Sequence, residues 1–399
     1  MQLQTRNLSF EQVYDPEVIR FTHLQNGLTW RPEFMTLDEY AERERIIGSS
    51  EISTKDKCQK MAERFPGASR YLGMKYFVLK DLSLPVTSKT SQIVSSCETL
   101  NRVGWSVTPE SKGVIEPVLS VCIGGVFTIP EFRGQGYGAE MITKVNQLFD
   151  ELSDTPGAPD LLKNIVIFLY SEVGEYYAKF GYGSRPAPLH TIEELDTVLK
   201  HYCRGQEERD SNRVVGLEGC DRLIALQKEN FANSLKEIHL ANPNAFVFTL
   251  EPSNAIFEWF HRRSLYQKKF LDPAGSANFG YALENGNHII WHLNYWPHQR
   301  SLYVLKLHIS DDTTDKEGDM QKLIAQAICE AKDNDVKYLQ FWDTELGHQE
   351  WSKPLLTFLK KVEKPSNLYQ ENPSRSAIRI ANVKNEDIIW DNNSKFCWF

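Results

Sequence analysis

The chain has 399 residues, of which 41% are hydrophobic and 25% charged, as is usual for globular proteins. Its length favours two domains, and its net charge of −8, without a dense lysine or arginine cluster, argues against nucleic acid as a partner. No apolar run is long enough to cross a bilayer, and the seven cysteines form no C-x-x-C pair, so we expect neither a membrane span nor a metal site. A cytoplasmic protein with reduced thiols fits best, with the nucleus as an alternative compartment.

The first half of the chain predicts an α/β layer. In chain order we expect a helix-prone stretch, three strands, a glycine-rich loop, a helix, a buried strand and a short helix: 33–64, 76–80, 92–100, 117–129, 133–139, 141–152, 164–170 and 174–180. The helix after the glycines is the clearest, because its apolar residues form one continuous stripe.

The second half repeats a similar order. Thr191 to Cys203 reads as a helix, since Thr191 and Glu194 have capping-box spacing, and a helix at 221–238 follows a polar stretch. Next come a helix, three strands, a helix and a strand: 253–270, 278–285, 288–296, 301–309, 320–332 and 337–342. An acidic stretch, "SDDTTDKEGDM", stands where the first half has its glycine loop. We predict domains at 1–203 and 220–399 joined by a linker at 204–219.

The glycine-rich stretch has more than one interpretation. Backbone N–H groups at a helix start lack intrahelical partners and carry positive character, so a glycine-rich turn there can bind phosphate oxygens. The alternative is a tight turn that binds nothing. From Gly134 to Ala139 the sequence formally fits a dinucleotide fingerprint, but "PEFR" separates it from the strand and the expected acidic strand end is missing, which leaves hydride transfer a remote alternative.

The residues from Pro130 to Ala139 resemble motif A of the GCN5-related N-acetyltransferase (GNAT) superfamily, R/Q-x-x-G-x-G/A, and "YYAKFGY" at 176–182 resembles the segment that follows it in the family. "SSCETLNRVGW", "SVCIGGVFTIPEFRGQGYG" and the final "SKFCWF" are similar to a fungal branch of L-lysine N6-acetyltransferase-like proteins. The resemblance implies an α/β fold with a mixed sheet, the GNAT acyl-CoA N-acyltransferase fold. A second, degenerate GNAT-like domain would follow it and could cap the acceptor site.

The resemblance also implies a site for acetyl-CoA as co-substrate. Its pantetheine arm would add to the strand before motif A like a further strand, and Gly124-Gly125 suits the bulge that opens such a wedge. Its pyrophosphate would lie on the amides of motif A. The implied donor-binding residues are Val126, Phe127, Thr128, Arg133, Gly134, Gln135, Gly136, Tyr137, Gly138 and Ala139.

For catalysis, the resemblance implies direct attack by the acceptor amine in a ternary complex. Tyr177 stands where family members carry the acid that protonates the departing thiolate, although Tyr176 is its neighbour. Some relatives carry a base at the position of Ser120, so this role falls to another carboxylate; Glu98, with Glu116 as the other choice, could take the proton or bind the substrate ammonium.

We therefore expect an N-acetyltransferase that acts on a small primary amine, with the N6 amine of free L-lysine as the best single choice. The alternatives are a non-catalytic acyl-CoA-binding protein and an acetyltransferase for protein lysines or N-termini. The sequence does not indicate an oligomeric state.

Overall fold

The computed structural model describes residues 6–217, 220–271, 278–296, 298–347 and 349–399. Two compact units divide the chain. The first is built from the chain up to Ser184, Asn244–Phe246 and Ser376–Ile388. The second is built from Arg185–Pro243, Val247–Arg375 and Ile389–Phe399.

The strands and helices up to residue 184 include every element predicted there. In chain order they are β1 (Leu8–Val13), α1 (Pro16–Trp30), α2 (Leu37–Ile47), α3 (Gln59–Arg64), β2 (Gly73–Asp81), β3 (Ile93–Val107), β4 (Glu116–Thr128), α4 (Tyr137–Ser153), β5 (Val166–Ser171) and β6 (Gly183–Ser184). The three predicted strands, the long helix and the buried strand are thus confirmed. The predicted short helix is the 3₁₀ helix Tyr176–Phe180, which ends at Gly181 with a φ of 90°.

The remaining elements follow the predicted order with additions. They are β7 (Leu189–Ile192), α5 (Leu195–His201), β8 (Val214–Val215), α6 (Asp221–Ala241), β9 (Phe246–Leu250), α7 (Asn254–Lys268), β10 (Gly280–Ala282), β11 (His288–Asn294), β12 (Ser301–His308), α8 (Lys316–Asp333), β13 (Tyr338–Trp342), α9 (Asp343–Leu346), α10 (Lys353–Val362), β14 (Arg375–Ile380) and β15 (Ile388–Trp390).

The sheet of the first unit contains a strand from the far end of the chain. Its order is β1-β2-β3-β4-β5-β14-β6, so β14 lies between β5 and β6. On β14, Arg379 donates to both carboxylate oxygens of Asp150 on α4, at 2.8 and 2.5 Å. A segment about two hundred residues away in sequence therefore completes the sheet.

The β4–α4–β5 unit forms the centre of this sheet. β4 and β5 are parallel, as a helical crossover requires, and they pair from Ser120 opposite Val166 to Ile123 opposite Leu169. The apolar stripe of α4 is buried on the sheet through Met141, Ile142, Val145 and Phe149. The helical period seen in the sequence thus corresponds to the buried face.

Sequence reasoning missed β1 and α1, although α1 has a clear start signal. Asp15 caps it by accepting from the N–H of Glu17, and Pro16 occupies the first turn, where its missing N–H costs nothing. The pair Asp15-Pro16 was therefore the available signal. The interior of α1 lacks a clear apolar stripe, because its buried residues include Thr22, His23 and Asn26.

The second unit contains a six-stranded sheet in the order β7-β13-β12-β11-β10-β8. One prediction is wrong here, since Thr191 lies on strand β7 and the following helix, α5, begins only at Leu195. The hydroxyl of Thr191 donates to Gln370 at 3.1 Å and accepts from Gln340 at 2.9 Å. It is therefore engaged in the sheet, and no side chain caps α5.

The predicted domain boundaries stay a prediction. Within the segment predicted as a linker, Arg209 donates to Gln326 at 3.3 Å and to Glu330 at 3.2 Å, both on α8.

Among the described residues, no helix combines the length and the apolar character needed to cross a bilayer.

Candidate active site

The parallel strands β4 and β5 separate at the centre of the first unit's sheet. Their pairing ends at Ile123 and Leu169, yet β4 continues to Thr128 and β5 to Ser171. The main-chain groups of β4 beyond Ile123 therefore face an edge from which β5 has withdrawn. An extended molecule can add to such an edge as a strand does.

A β-bulge accompanies this separation. Against β3, the register of β4 shifts so that Gly125 and Val126 together oppose the single residue Cys97. Gly125 has a φ of 55°, a conformation that glycine adopts without steric cost. The bulge predicted from Gly124-Gly125 is thus confirmed.

The loop after β4 presents bare main chain at the start of α4. Arg133, Gly134, Gln135 and Gly136 are exposed, and Gly136 is the N-cap of α4 without any side-chain cap. The first-turn amides have no intrahelical acceptor, so they are available to an anion. A Cβ at Gly134 or Gly136 would meet no atom of the described residues within 4 Å, but their φ values of 73° and 89° favour glycine.

The side chains of the loop anchor it to the sheet. Tyr137 is buried and its hydroxyl donates to Asp81 on β2 at 2.5 Å. Arg133 donates from Nε to the carbonyl of Thr128 at 3.0 Å, and its guanidinium lies 5.0 Å from the ring centre of Phe127. The structure thus brings the predicted donor-binding residues of β4 and of the loop together.

Asp81 is ionised at this anchor. Burial alone would raise the pKa of Asp81, but hydrogen bonds from Ser83 and Tyr137 outweigh it, so the pKa is lowered. The carboxylate that holds Tyr137 therefore keeps its charge at neutral pH.

Tyr177 lies on the α4 side of the sheet, where it packs, as Val126 does, against the core that contains Cys97. Its ring contacts that of Tyr182 edge-on, with 6.1 Å between centroids, whereas Tyr176 is exposed. Burial, and then the neighbouring Tyr176, Cys97 and Glu172, raises the pKa of the Tyr177 phenol well above its ordinary value. Of the two tyrosines, Tyr177 is the one that packs against this core.

Glu98 lies beside the same bulge on the opposite face of the sheet. It follows Cys97 on β3, and successive strand residues point to opposite faces. It lies opposite Gly124 on β4 and opposite Tyr76 on β2. Its carboxylate is 3.6 Å from Nε2 of His23 on α1. Tyr177 and Glu98 therefore lie on opposite faces of the sheet, near the point where β4 and β5 separate.

The other carboxylate considered from the sequence does not reach this place. Glu116 begins β4, eight residues before Gly124, which is about 26 Å along a strand. Ser120 is buried and donates to the carbonyl of Arg102 at 2.9 Å, so it supports the sheet.

Sequence reasoning missed two features of this site. The indole of Trp30, at the end of α1, donates to Glu172 just after β5 at 3.1 Å and packs edge-on against Phe127 on β4, with centroids 6.2 Å apart. Asn26, one turn earlier on α1, is buried next to Gly125. The only sequence signal for these two features was that α1 has polar residues in its interior and no apolar stripe.

Comparison with known proteins now identifies the group to which this arrangement belongs. Residues 199–399, slightly more than half of the chain, match the family described as the LYC1 GNAT-like C-terminal domain. The chain belongs to the GNAT superfamily, in its fungal LYC1-like branch. The GNAT fold and the GNAT-like C-terminal domain predicted from the sequence are confirmed, and the protein is an acetyltransferase of the GNAT type.

Two relatives and one solved structure illustrate the similarity. An uncharacterized protein of Saccharomyces cerevisiae is 44% identical over 397 residues, covering 98% of both chains. A Yarrowia lipolytica protein named lysine acetyltransferase is 23% identical over 376 residues, covering 86% of both chains. The crystal structure of a GCN5-related N-acetyltransferase from Anabaena variabilis aligns with a TM-score of 0.51 and 13% identity, over 94% of this chain and 74% of that one. At that identity, the last match concerns the fold alone.

Proposed function

We propose that this GNAT acetyltransferase transfers the acetyl group of acetyl-CoA to the N6 amine of free L-lysine in the first unit. One observation supports the donor site most directly: β4 separates from β5 beside the uncapped start of α4. The Yarrowia relative named lysine acetyltransferase supports the choice of acceptor.

The donor fits the site in two parts. The pantetheine arm carries amide groups that can bond to the free edge of β4 at Val126, Phe127 and Thr128. The pyrophosphate carries negative charge that the amides from Gly134 to Ala139 can bind at the positive end of α4. The amide of Arg133, also predicted to bind it, instead donates to the carbonyl of Pro130 at 3.2 Å. These two parts are adjacent in the fold because the loop leaves β4 directly at Thr128.

The chemistry requires no covalent enzyme intermediate. Lysine's amine has a reference pKa of about 10.4, so at neutral pH about one molecule in a thousand is uncharged. Glu98 accepts a proton from the ammonium, and the freed nitrogen attacks the thioester carbonyl. The C–S bond then breaks, and the phenol of Tyr177 gives its proton to the departing thiolate. The nitrogen loses its second proton to solvent, from which the Tyr177 phenolate regains its own proton. The phenol of Tyr177 is protonated at neutral pH, and its raised pKa makes it a weaker acid than an ordinary tyrosine.

Release of free coenzyme A thiol tests the proposal. The full-length protein is incubated with acetyl-CoA and, separately, L-lysine, L-ornithine, spermidine, Nα-acetyl-L-lysine and a lysine-containing peptide. We expect L-lysine to give the highest kcat/KM and the product to carry its acetyl group on N6, as read by NMR.

Other outcomes point to the alternatives. Thiol release with the peptide alone would favour a protein acetyltransferase. Thermal stabilisation by coenzyme A without thiol release on any amine would favour a protein that binds acyl-CoA without turnover, and the proposed reaction would be wrong.

A further inference from the structure

The peptide group between Gln135 and Gly136 lies at the centre of the loop that begins α4. Its orientation is set by rotation about the bonds on either side, one of which belongs to Gly136, with a φ of 89°. Glycine adopts positive and negative φ about equally readily, so this peptide group can turn over at little steric cost. A contact from outside the loop is therefore needed to fix the direction of its N–H group.

Arg6, two residues before β1, makes such a contact. Its guanidinium donates from Nη1 to the main-chain carbonyl of Gln135 at 2.5 Å. The guanidinium also lies 4.5 Å from the ring centre of Tyr137, the residue that Asp81 anchors. A hydrogen bond from a charged donor is about twice as strong as one between neutral groups. Arg6 therefore holds the carbonyl of Gln135 in one direction.

The direction of this carbonyl determines the direction of the next N–H group. A peptide group is planar and trans, so the N–H of Gly136 points away from the carbonyl oxygen of Gln135 and from Arg6. Gly136 is the N-cap of α4, and no main-chain carbonyl of the described residues accepts from its N–H. This N–H is thus held on the side of the loop opposite Arg6, where it is available to an anion.

We infer that Arg6 is a positioning residue for the diphosphate of the donor. It acts through the peptide group between Gln135 and Gly136, whose N–H it directs toward the ligand. The positive charge beside the carbonyl also polarises this peptide group, which makes its N–H a stronger donor. The inference rests on the proposed function for the position of the donor, and it implies that Arg6 favours donors that carry a diphosphate.

The test measures binding of coenzyme A to the full-length protein by isothermal titration calorimetry. We expect Arg6→Met to weaken coenzyme A about tenfold, as the loss of a hydrogen bond to a charged group does. Arg6→Lys, which keeps a charged N–H donor, should recover most of the affinity. Binding of 3′-phosphoadenosine 5′-diphosphate, which contains the diphosphate without the pantetheine arm, should weaken by the same factor as that of coenzyme A.

Arg70→Met is the matched control. Arg70 is also exposed, and its guanidinium lies 4.9 Å from the ring centre of Tyr71. It precedes β2, whereas Asp81 ends that strand, about 26 Å further along. The control removes the same charge and the same kind of ring contact away from the loop, so binding of coenzyme A should be unchanged.

Several results would overturn the inference. They are unchanged coenzyme A binding in a folded Arg6→Met variant, an equal loss in Arg70→Met, and unchanged binding of the nucleotide fragment where coenzyme A is weakened. An Arg6→Lys variant that binds as poorly as Arg6→Met would overturn it too. The melting temperature shows whether each variant is folded. If Arg6→Met does not fold, Arg6→Gln replaces it, and unchanged coenzyme A binding in that variant would overturn the inference.

Failure of this inference differs from failure of the proposed function. If coenzyme A binding depends on Arg6 but no amine is acetylated, the positioning role stands and the proposed reaction is wrong. If L-lysine is acetylated and Arg6→Met leaves the affinity for coenzyme A unchanged, the reaction stands and the positioning role is wrong. Absence of coenzyme A binding in the wild type would contradict both.

Discussion

The two halves of the chain each contain a β–α–β unit, and the helix starts of these units differ in one respect. In β4–α4–β5 and in β12–α8–β13, a helix connects two parallel strands. The N-terminus of α4 has a glycine cap and exposed main chain, whereas α8 is capped by its own Asp315, whose carboxylate accepts from the N–H of Gly318 at 2.9 Å. Glu317 and Asp319 add further negative charge to the first turn of α8.

This comparison shows that the loop, and not the topology, decides whether a helix start can bind an anion. Both helices carry the same positive end. At α8 an internal carboxylate already satisfies a first-turn amide, and a phosphate there would meet like charge. At α4 the corresponding amides are left for a ligand. This difference supports the proposal that the donor binds at α4 and that the start of α8 has a structural role.

The largest effect is expected from filling the space at the N-terminus of α4. Gly136→Trp places a bulky side chain where the pyrophosphate would lie and imposes a strained φ of 89°. We expect affinity for acetyl-CoA to fall about 100-fold or more, equivalent to about 2.7 kcal/mol, as measured by calorimetry.

Gly67→Trp is the control for this substitution. Gly67 is exposed, has a φ of 73° and has no atom within 4 Å of its Cβ position. It should reproduce the backbone strain while leaving acetyl-CoA binding unchanged. Normal binding by a folded Gly136→Trp protein would contradict the assignment of the loop.

The next effect is expected at Tyr177. Tyr177→Phe removes the proton donor but keeps the ring packing, so kcat should fall about 100-fold or more, within the range for a general acid. Affinity for acetyl-CoA should remain within about twofold of the wild-type affinity, so the binding free energy should be nearly unchanged. Tyr176→Phe, its exposed neighbour, should leave kcat nearly unchanged, and equal losses in both variants would argue against a specific acid.

The pH dependence of kcat gives a second test of Tyr177. Its pKa is raised, so the phenol is protonated below the ordinary tyrosine value and loses its proton only above it. Loss of this acid should therefore cause no decline of the wild-type kcat below about pH 10. A decline of kcat that begins near neutral pH and disappears in Tyr177→Phe would mean that the pKa of Tyr177 is not raised.

The smallest effect is expected at α8. Asp315→Ala removes the cap and should destabilise the second unit by about 1 kcal/mol, as cap deletions do, while acetyl-CoA affinity stays unchanged. Urea unfolding of the full chain measures the first quantity and calorimetry the second. Asp312→Ala, whose side chain is exposed in the same loop, is the control. A loss of acetyl-CoA binding in Asp315→Ala alone would mean that α8 takes part in donor binding.

Local signals in the sequence predicted the loop, the helix and the bulge on which the proposed donor site depends. The three glycines of the loop, the stripe of α4 and the paired glycines of the bulge each act within a few residues of chain, and the structure has all three features. Thr191 was misplaced because its spacing to Glu194 imitates a cap, whereas pairing of β7 with β13 determines its conformation.

Features that depend on distant parts of the chain could not be predicted in this way. Asn26 becomes significant only when α1 crosses Gly125, about a hundred residues further along the sequence. Similarly, nothing within Arg375–Ile380 indicates that this strand belongs beside β5.

The position of β14 has a consequence for biosynthesis. Because the ribosome makes the chain from its N-terminus, β5 lacks this neighbouring strand until about two hundred further residues have been translated. Until then β5 is an open edge, and Asp150 has no Arg379 to bind. The sheet of the first unit can thus be completed only after β14 has been made, and a nascent chain that stops before β14 leaves that sheet unfinished.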